Sequence, residues 1–334
     1  MSGKTSCPRA NSTKSSSDVL SFVLSQFPSP IAETCRDFIA ARARQDPEAE
    51  YQTLWAASDA ILKFITAIAT ADCTAEGGDP SHAATLLRPL LETRAITGQV
   101  WESLLLHSTA ISLQDASRLP HRAFPELFLA ICKAGGRAGR SMPKFGEVER
   151  AIGQFRVPMP PDGGSAISIA TRGKMLHRLY QAMEPLLAGW SLVERRSDDS
   201  CCVLRGLQSL SEIQPHEHQS IGERSRLSLM RKSHGKELAL PLLPIIHSFE
   251  CGICGQRFVR FAGRMDDELR EWMVVHLLQN LSSAGRDIGH AGSEDLQTYQ
   301  SLIDALAGLL PESEAISTRL STLCSPWQSI VRVS

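Results

Sequence analysis

His247-Ser-Phe-Glu-Cys251-Gly-Ile-Cys254-Gly-Gln-Arg-Phe258 sets two cysteines two residues apart, each followed by glycine. Such spacing suits a tight turn whose backbone N–H groups point at two thiolates, and the pair can be offered to one tetrahedral ion such as zinc. A structural zinc takes four ligands, and this stretch supplies half of them. His247, four residues ahead of Cys251, is the nearest further donor; His234, Cys201 and Cys202 are others, and the sequence does not choose among them. The plain alternative is a β-turn between two strands, with the cysteines as small, half-buried apolar residues.

Working outward, the flanks alternate with period two. Leu238-Ala-Leu-Pro-Leu-Leu243, Ile245-Ile246 and Arg257-Phe-Val-Arg-Phe261 predict strands on both sides of the cysteine turn. Arg226-Leu-Ser-Leu-Met-Arg231 joins the first of these through Ser233-His-Gly-Lys236, a hairpin turn in which Gly235 supplies the required backbone freedom. Leu192-Val-Glu-Arg-Arg196 and Cys201-Cys-Val-Leu-Arg205, around Ser197-Asp-Asp-Ser200, form another strand pair. Residues 190–262 therefore read as one compact, mainly antiparallel β unit. His216-Glu-His218 is a further candidate chelator in a polar loop after Pro215.

On either side the period is helical. Val19, Leu20, Phe22, Val23 and Phe27 predict a first short helix; Ser29-Pro30 reads as an N-cap with proline in the first turn of a second, whose stripe is Ile31, Cys35, Phe38 and Ile39. Asp46-Pro47 repeats that signal for a third helix over 47–72, ended by Glu76-Gly-Gly-Asp-Pro80. Further helices are expected around Leu86, around Trp101 to Leu106, over Phe124 to Cys132 and from Ser165 to Gly189. Gly135-Gly-Arg-Ala-Gly-Arg140 reads as a joining loop that matches no phosphate-loop pattern, and Pro158-Met-Pro-Pro-Asp-Gly-Gly164 as a linker. Helices resume from Asp266. The resulting division is a tail over 1–17, a helical domain over 18–157, a linker and helix over 158–189, the β unit over 190–262 and a helical region over 263–334. The fold class is α+β, mainly α: a helical bundle, a small antiparallel β unit with a Cys-x-x-Cys knuckle, and C-terminal helices.

With 334 residues, 43% apolar, the chain can bury a sizeable core. Its 35 basic and 36 acidic residues balance to a formal net charge of -1, which argues against a protein built mainly to neutralise phosphate backbone. Neither a membrane span nor a signal peptide is read from it, and nine scattered cysteines point to a reducing cytoplasm.

Several segments resemble a known family. The helix-proline-helix opening (Pro28-Ser-Pro30, then Tyr51-Gln-Thr-Leu-Trp55 through Leu62-Lys-Phe-Ile65), the Gly98-Gln-Val-Trp101 step and the passage from Leu240-Pro-Leu-Leu-Pro244 into Cys251-Gly-Ile-Cys254 carry the likeness. They look like a bacterial helical domain of the higher-eukaryote-and-prokaryote nucleotide-binding (HEPN-like) group, followed by a degenerate zinc-ribbon-like hairpin. The resemblance covers residues 18–262. It implies a setting in bacterial conflict and signalling systems, where relatives stand beside kinase, NTPase or protease modules. The group's arginine-polar...histidine motif does not stand at Arg137 to Arg150, but Arg286-Asp-Ile-Gly-His290 is similar to it, with three residues between arginine and histidine instead of four to six. By that resemblance Arg286 would hold a scissile phosphate and His290 would act as acid or base in a metal-independent ribonuclease, working as a homodimer. Arg172...His177 and Arg270...His276 fit the same loose spacing.

No complete catalytic constellation appears: there is no Walker, dinucleotide-binding or Gly-x-Ser-x-Gly pattern. The expectation is thus a non-catalytic interaction, sensor or regulatory protein with a protein partner and a structural zinc held by Cys251, Cys254 and His247. The alternative is the ribonuclease using Arg286 and His290 on RNA.

Overall fold

The computed structural model describes residues 16–74, 86–87, 90–114, 123–134, 166–187, 189–195, 201–207, 220–225, 227–233, 236–242, 245–251 and 257–264. Among these the protein is mainly helical, with antiparallel strands in the middle of the chain. Residues 1–15 of the expected tail, the 135–140 loop, the 158–164 linker, His216, His218, His234 and all helices after 264 lie outside the described residues, whereas Ser16 and Ser17, placed in that tail, begin the first helix.

Helices α1 (Ser16–Gln26), α2 (Ser29–Ala43) and α3 (Pro47–Thr74) follow one another with short breaks. The second start differs from expectation. Pro28, extended at φ -51° and ψ 141°, holds the capping position, and its carbonyl accepts from Ile31 N and Ala32 N at 3.0 and 3.1 Å. Ser29 is therefore the first helical residue, with its hydroxyl buried, because proline already supplies the extended φ that a cap needs. At α3 the expected cap forms: Asp46 Oδ1 accepts from Ala49 N at 3.1 Å.

From Ala57 onward α3 is buried almost all round, as a helix at the centre of a bundle must be. It packs against α2, against α4 (Gly98–Gln114), against α5 (Pro125–Ala134) and against α6 (Ala166–Leu187). Length and apolar composition would let α3 cross a membrane, but 78% of its most apolar window is buried inside the protein. Its alanines and threonines let α4 approach closely. The seam is polar, with Thr70 and Ser108 hydroxyls 3.1 Å apart and the Cys73 thiol 2.8 Å from Ser112 Oγ. These groups satisfy one another, so the seam carries no buried unpaired hydroxyl.

Among the described residues seven strands follow: β1 (Trp190–Arg195), β2 (Cys201–Leu204), β3 (Ser220–Ser225), β4 (Leu227–Ser233), β5 (Lys236–Pro241), β6 (Ile246–Cys251) and β7 (Arg257–Phe261). They build two antiparallel sheets: a four-stranded sheet in the order β2-β1-β4-β5 and a three-stranded sheet in the order β3-β6-β7. β3 is the strand that sequence reading missed. Ser-Ile-Gly-Glu-Arg-Ser has no apolar alternation, and only pairing with β6 makes it a strand. The other pairings follow the pattern of residues. Ser233 faces Lys236 across the two-residue loop between β4 and β5, and Glu250 faces Arg257 across the cysteine turn.

Helices and strands share one contiguous core. Ile61, Ile65 and Trp101 of the bundle join Trp190, Leu192, Leu229 and Leu240 of the four-stranded sheet and Ile246 and Val259 of the other. α1 is tied to the sheet by backbone. Gly206 N donates to Phe27 O at 2.7 Å and Leu207 N to Leu24 O at 2.9 Å, which satisfies carbonyls that the end of a helix leaves open.

Candidate functional site

The cysteine hairpin is present as β6 and β7, paired in register from Ile246–Phe261 to Glu250–Arg257. Cys251 ends β6, and Cys254 lies outside the described residues. On β6, Ile246 and Ser248 are buried and His247 is half-buried. Among the described residues no group of three His, Cys, Asp or Glu side chains is placed to hold a metal.

Cys201 and Cys202 stand side by side on β2, opposite Arg195 and Glu194 of β1, so their side chains leave the sheet on opposite faces. Cys201 is exposed, and Cys202 packs against the core. Arg286 and His290 lie outside the described residues. Arg172 and His177 are on α6, where five residues turn the helix by about 140° past one revolution. They do not share a face, and burial holds the His177 imidazole below its ordinary pKa.

What fixes the hairpin is a carboxylate that sequence reading passed over. Trp190, Leu192 and Glu194 alternate on the inner face of β1, and Glu194 is fully buried. Its Oε1 accepts both the Ser248 hydroxyl, from β6, and Arg257 Nη1, from β7. One oxygen thus holds both strands of the hairpin to the four-stranded sheet, while Glu194 Oε2 is buried with no hydrogen-bond partner. A buried ion pair of this kind contributes little over an apolar contact, but removing one partner leaves a charge without its counter-ion. The signal that would have found it was a glutamate in phase with Trp190 and Leu192, at a position where the pattern calls for an apolar residue.

A second polar group stands at the other end of β1. Arg231, opposite Trp190 in the β1–β4 register, stacks on that indole with its guanidinium carbon 4.7 Å from the ring centroid. Arg231 Nη1 donates to Glu126 Oε1 at 2.9 Å, and the Phe124 ring lies 4.8 Å from that of Trp190. Glu126 stands in the first turn of α5, where the helix dipole favours a carboxylate. That turn is itself pinned: Asp72 of α3, buried, accepts from Ala123 N at 2.8 Å and Phe124 N at 3.1 Å.

Glu33, Cys35 and Tyr180 are perturbed as well, the last raised by burial. Burial pushes the Glu33 carboxyl up to about 7; Arg36 and Arg260 act against that and Asp37 adds to it. Burial likewise pushes the Cys35 thiol up to about 11, partly offset by the Tyr180 hydroxyl beside it. A thiol so placed is a packing group and not a nucleophile.

No protein-family model, curated protein or solved structure matches the chain.

Proposed function

We propose that this is a non-catalytic interaction or regulatory protein, in which the helical body holds a β unit rigidly and presents it to a protein partner. The observation that carries this reading is the commitment of buried charge to architecture. Glu194 clamps both strands of the cysteine hairpin, and Asp72 seats α5. Among the described residues these are the two fully buried carboxylates, and each is spent on holding elements together instead of facing a cleft. The family resemblance of the sequence suggests a bacterial defence or signalling setting for such a module. A structural zinc held by Cys251, Cys254 and His247 is part of the same proposal.

The test pairs two measurements on the purified full chain. We expect no hydrolysis of labelled RNA, and saturable binding to a protein that co-purifies with the chain and is then produced separately. RNA degradation that His290→Ala abolishes, with circular dichroism unchanged, would replace this reading with a ribonuclease.

A further inference from the structure

Helix α6 buries one face and leaves the other in solvent. Ile169, Leu176, Tyr180 and Met183 are buried where the helix meets α1 and α3, whereas Thr171, Lys174, Arg178, Gln181 and Pro185 form an exposed stripe at the spacing of helical turns. Two cations stand next to each other on that stripe. Lys174 and Arg178 are four residues apart, about 6 Å along the axis, and like charges so placed repel and destabilise a helix. Among the described residues no carboxylate pairs with either. The one acidic residue of α6, Glu184, lies six positions beyond Arg178 and so about 120° away round the axis.

A third cation comes from α2. Arg42 Nη1 would lie 4.0 Å from a Cβ at Gly173, with Phe38 Cζ at 3.6 Å, so the guanidinium sits against α6 one residue before Lys174. Its Nε is 3.7 Å from Glu50 Oε1, too far for a hydrogen bond, and the side chain is 58% exposed. Arg42, Lys174 and Arg178 are thus close on the scale of the Debye length, about 8 Å in physiological salt, and their fields add. Ala182 and Pro185, further along the same side of α6, are exposed and small, so the backbone of another chain can come close there.

We propose that the solvent face of α6 docks an acidic helical segment of a partner protein, whose carboxylates, four residues apart, meet Lys174 and Arg178 with Arg42 at the edge of the contact. Charge complementarity selects the occupant: glutamates at that spacing on a helix repeat the same 6 Å step, about one turn, that separates the two cations. The face is poorly suited to nucleic acid. Three cations fall short of the phosphate contacts, on the order of six to ten, that hold a duplex, and Tyr180, the aromatic residue of α6, is buried and offers no ring to a base. The inference rests on the protein-partner reading given above and names the surface that such a partner would use.

The test uses the full chain and, as the probe, a fluorescein-labelled alanine-based helical peptide with glutamate at every fourth position, read by fluorescence anisotropy. The expected result is saturable binding, weakened about tenfold by Lys174→Glu combined with Arg178→Glu. Arg94→Glu combined with Arg264→Glu makes the same change of net charge at two exposed arginines on other segments, and binding is expected to survive it. All four positions are exposed, and circular dichroism checks that the fold is kept; should the reversed pair fail to fold, Lys174→Gln with Arg178→Gln carries the comparison. No saturable binding, equal binding of the same peptide with glutamine in place of glutamate, or equal losses in the two charge-reversed variants overturns the proposal. So does tighter binding of an RNA oligonucleotide that the Lys174 and Arg178 substitutions abolish. Binding of the co-purified partner that survives those substitutions removes this surface alone, whereas RNA hydrolysis alongside normal peptide binding removes the functional reading and leaves the surface standing.

Discussion

The guanidinium of Arg257 bonds to the same oxygen of Glu194 that accepts the Ser248 hydroxyl, so one buried atom on β1 holds both strands of the cysteine hairpin. Removing it strands a largely buried arginine. Glu194→Ala is expected to destabilise the protein by about 3 kcal/mol or more, whereas Glu194→Met combined with Arg257→Met costs well under half as much. Urea unfolding of the two variants checks this; equal losses would mean that the pair acts through packing alone.

Gly206 has φ +65°, and a Cβ added there would lie 2.8 Å from the carbonyl oxygens of both Leu24 and Ser25. Those are backbone atoms at the end of α1, and they cannot swing aside. Gly206→Ala is expected to cost about 2 kcal/mol or more and to raise amide exchange selectively in α1. A thermal scan and exchange mass spectrometry read the two effects.

The Glu33 carboxyl has its pKa raised from 4.5 to about 7 in the folded protein, so folding favours its protonated form. A raised acid contributes stability that is complete below its unfolded pKa and is lost as the pH climbs through the folded one. Glu33→Gln removes the titration while keeping the shape. The melting temperatures of wild type and variant are expected to coincide below pH 4.5, to separate in favour of the variant as the pH rises from 4.5 to about 7, and to keep that gap above it. Parallel curves across that interval would contradict the assignment.

Thiol reactivity is expected to sort by placement. Cys201 is exposed on β2, whereas Cys35 and Cys73 are buried and the Cys35 thiol is pushed up to about 11. Maleimide labelling of the native chain at neutral pH, mapped by peptide mass spectrometry, should modify Cys201 before Cys35 and Cys73, which it reaches only in denaturant. Early labelling of Cys35 would show that the α2–α6 contact opens.

Asp72 accepts two backbone N–H groups at the start of α5, work that no other described side chain does for that helix. Asp72→Ala is expected to cost about 2 kcal/mol, and Asp72→Asn about half of that, since the amide still offers one acceptor. Because α5 carries Glu126, the same substitutions should also loosen the Glu126–Arg231 pair. Urea titration together with the Trp190 indole resonance measures both.

Sequence reading was strongest where local periodicity and burial coincide. The Ile61, Ile65 and Ile68 spacing announced α3, and Asp46-Pro47 marked its start, because a helix stripe and its cap are both written within a few residues. The hairpins around Gly235 and around the cysteines were legible for the same reason. It failed where the cause is remote. β3 has no pattern of its own, and Ser29 looked like a cap until Pro28 was seen to occupy that position.

The residues alone determined that this chain is mainly helical with a central antiparallel unit and a two-cysteine turn, since period, turn chemistry and proline act within one element. Only the tertiary structure decided that the strands divide into two sheets and that Glu194 and the Glu126–Trp190–Arg231 group are the polar centres. The reason is distance along the chain: Glu194 meets Arg257 and Glu126 meets Arg231 across 63 and 105 positions, and no local pattern encodes which buried charge will find which partner.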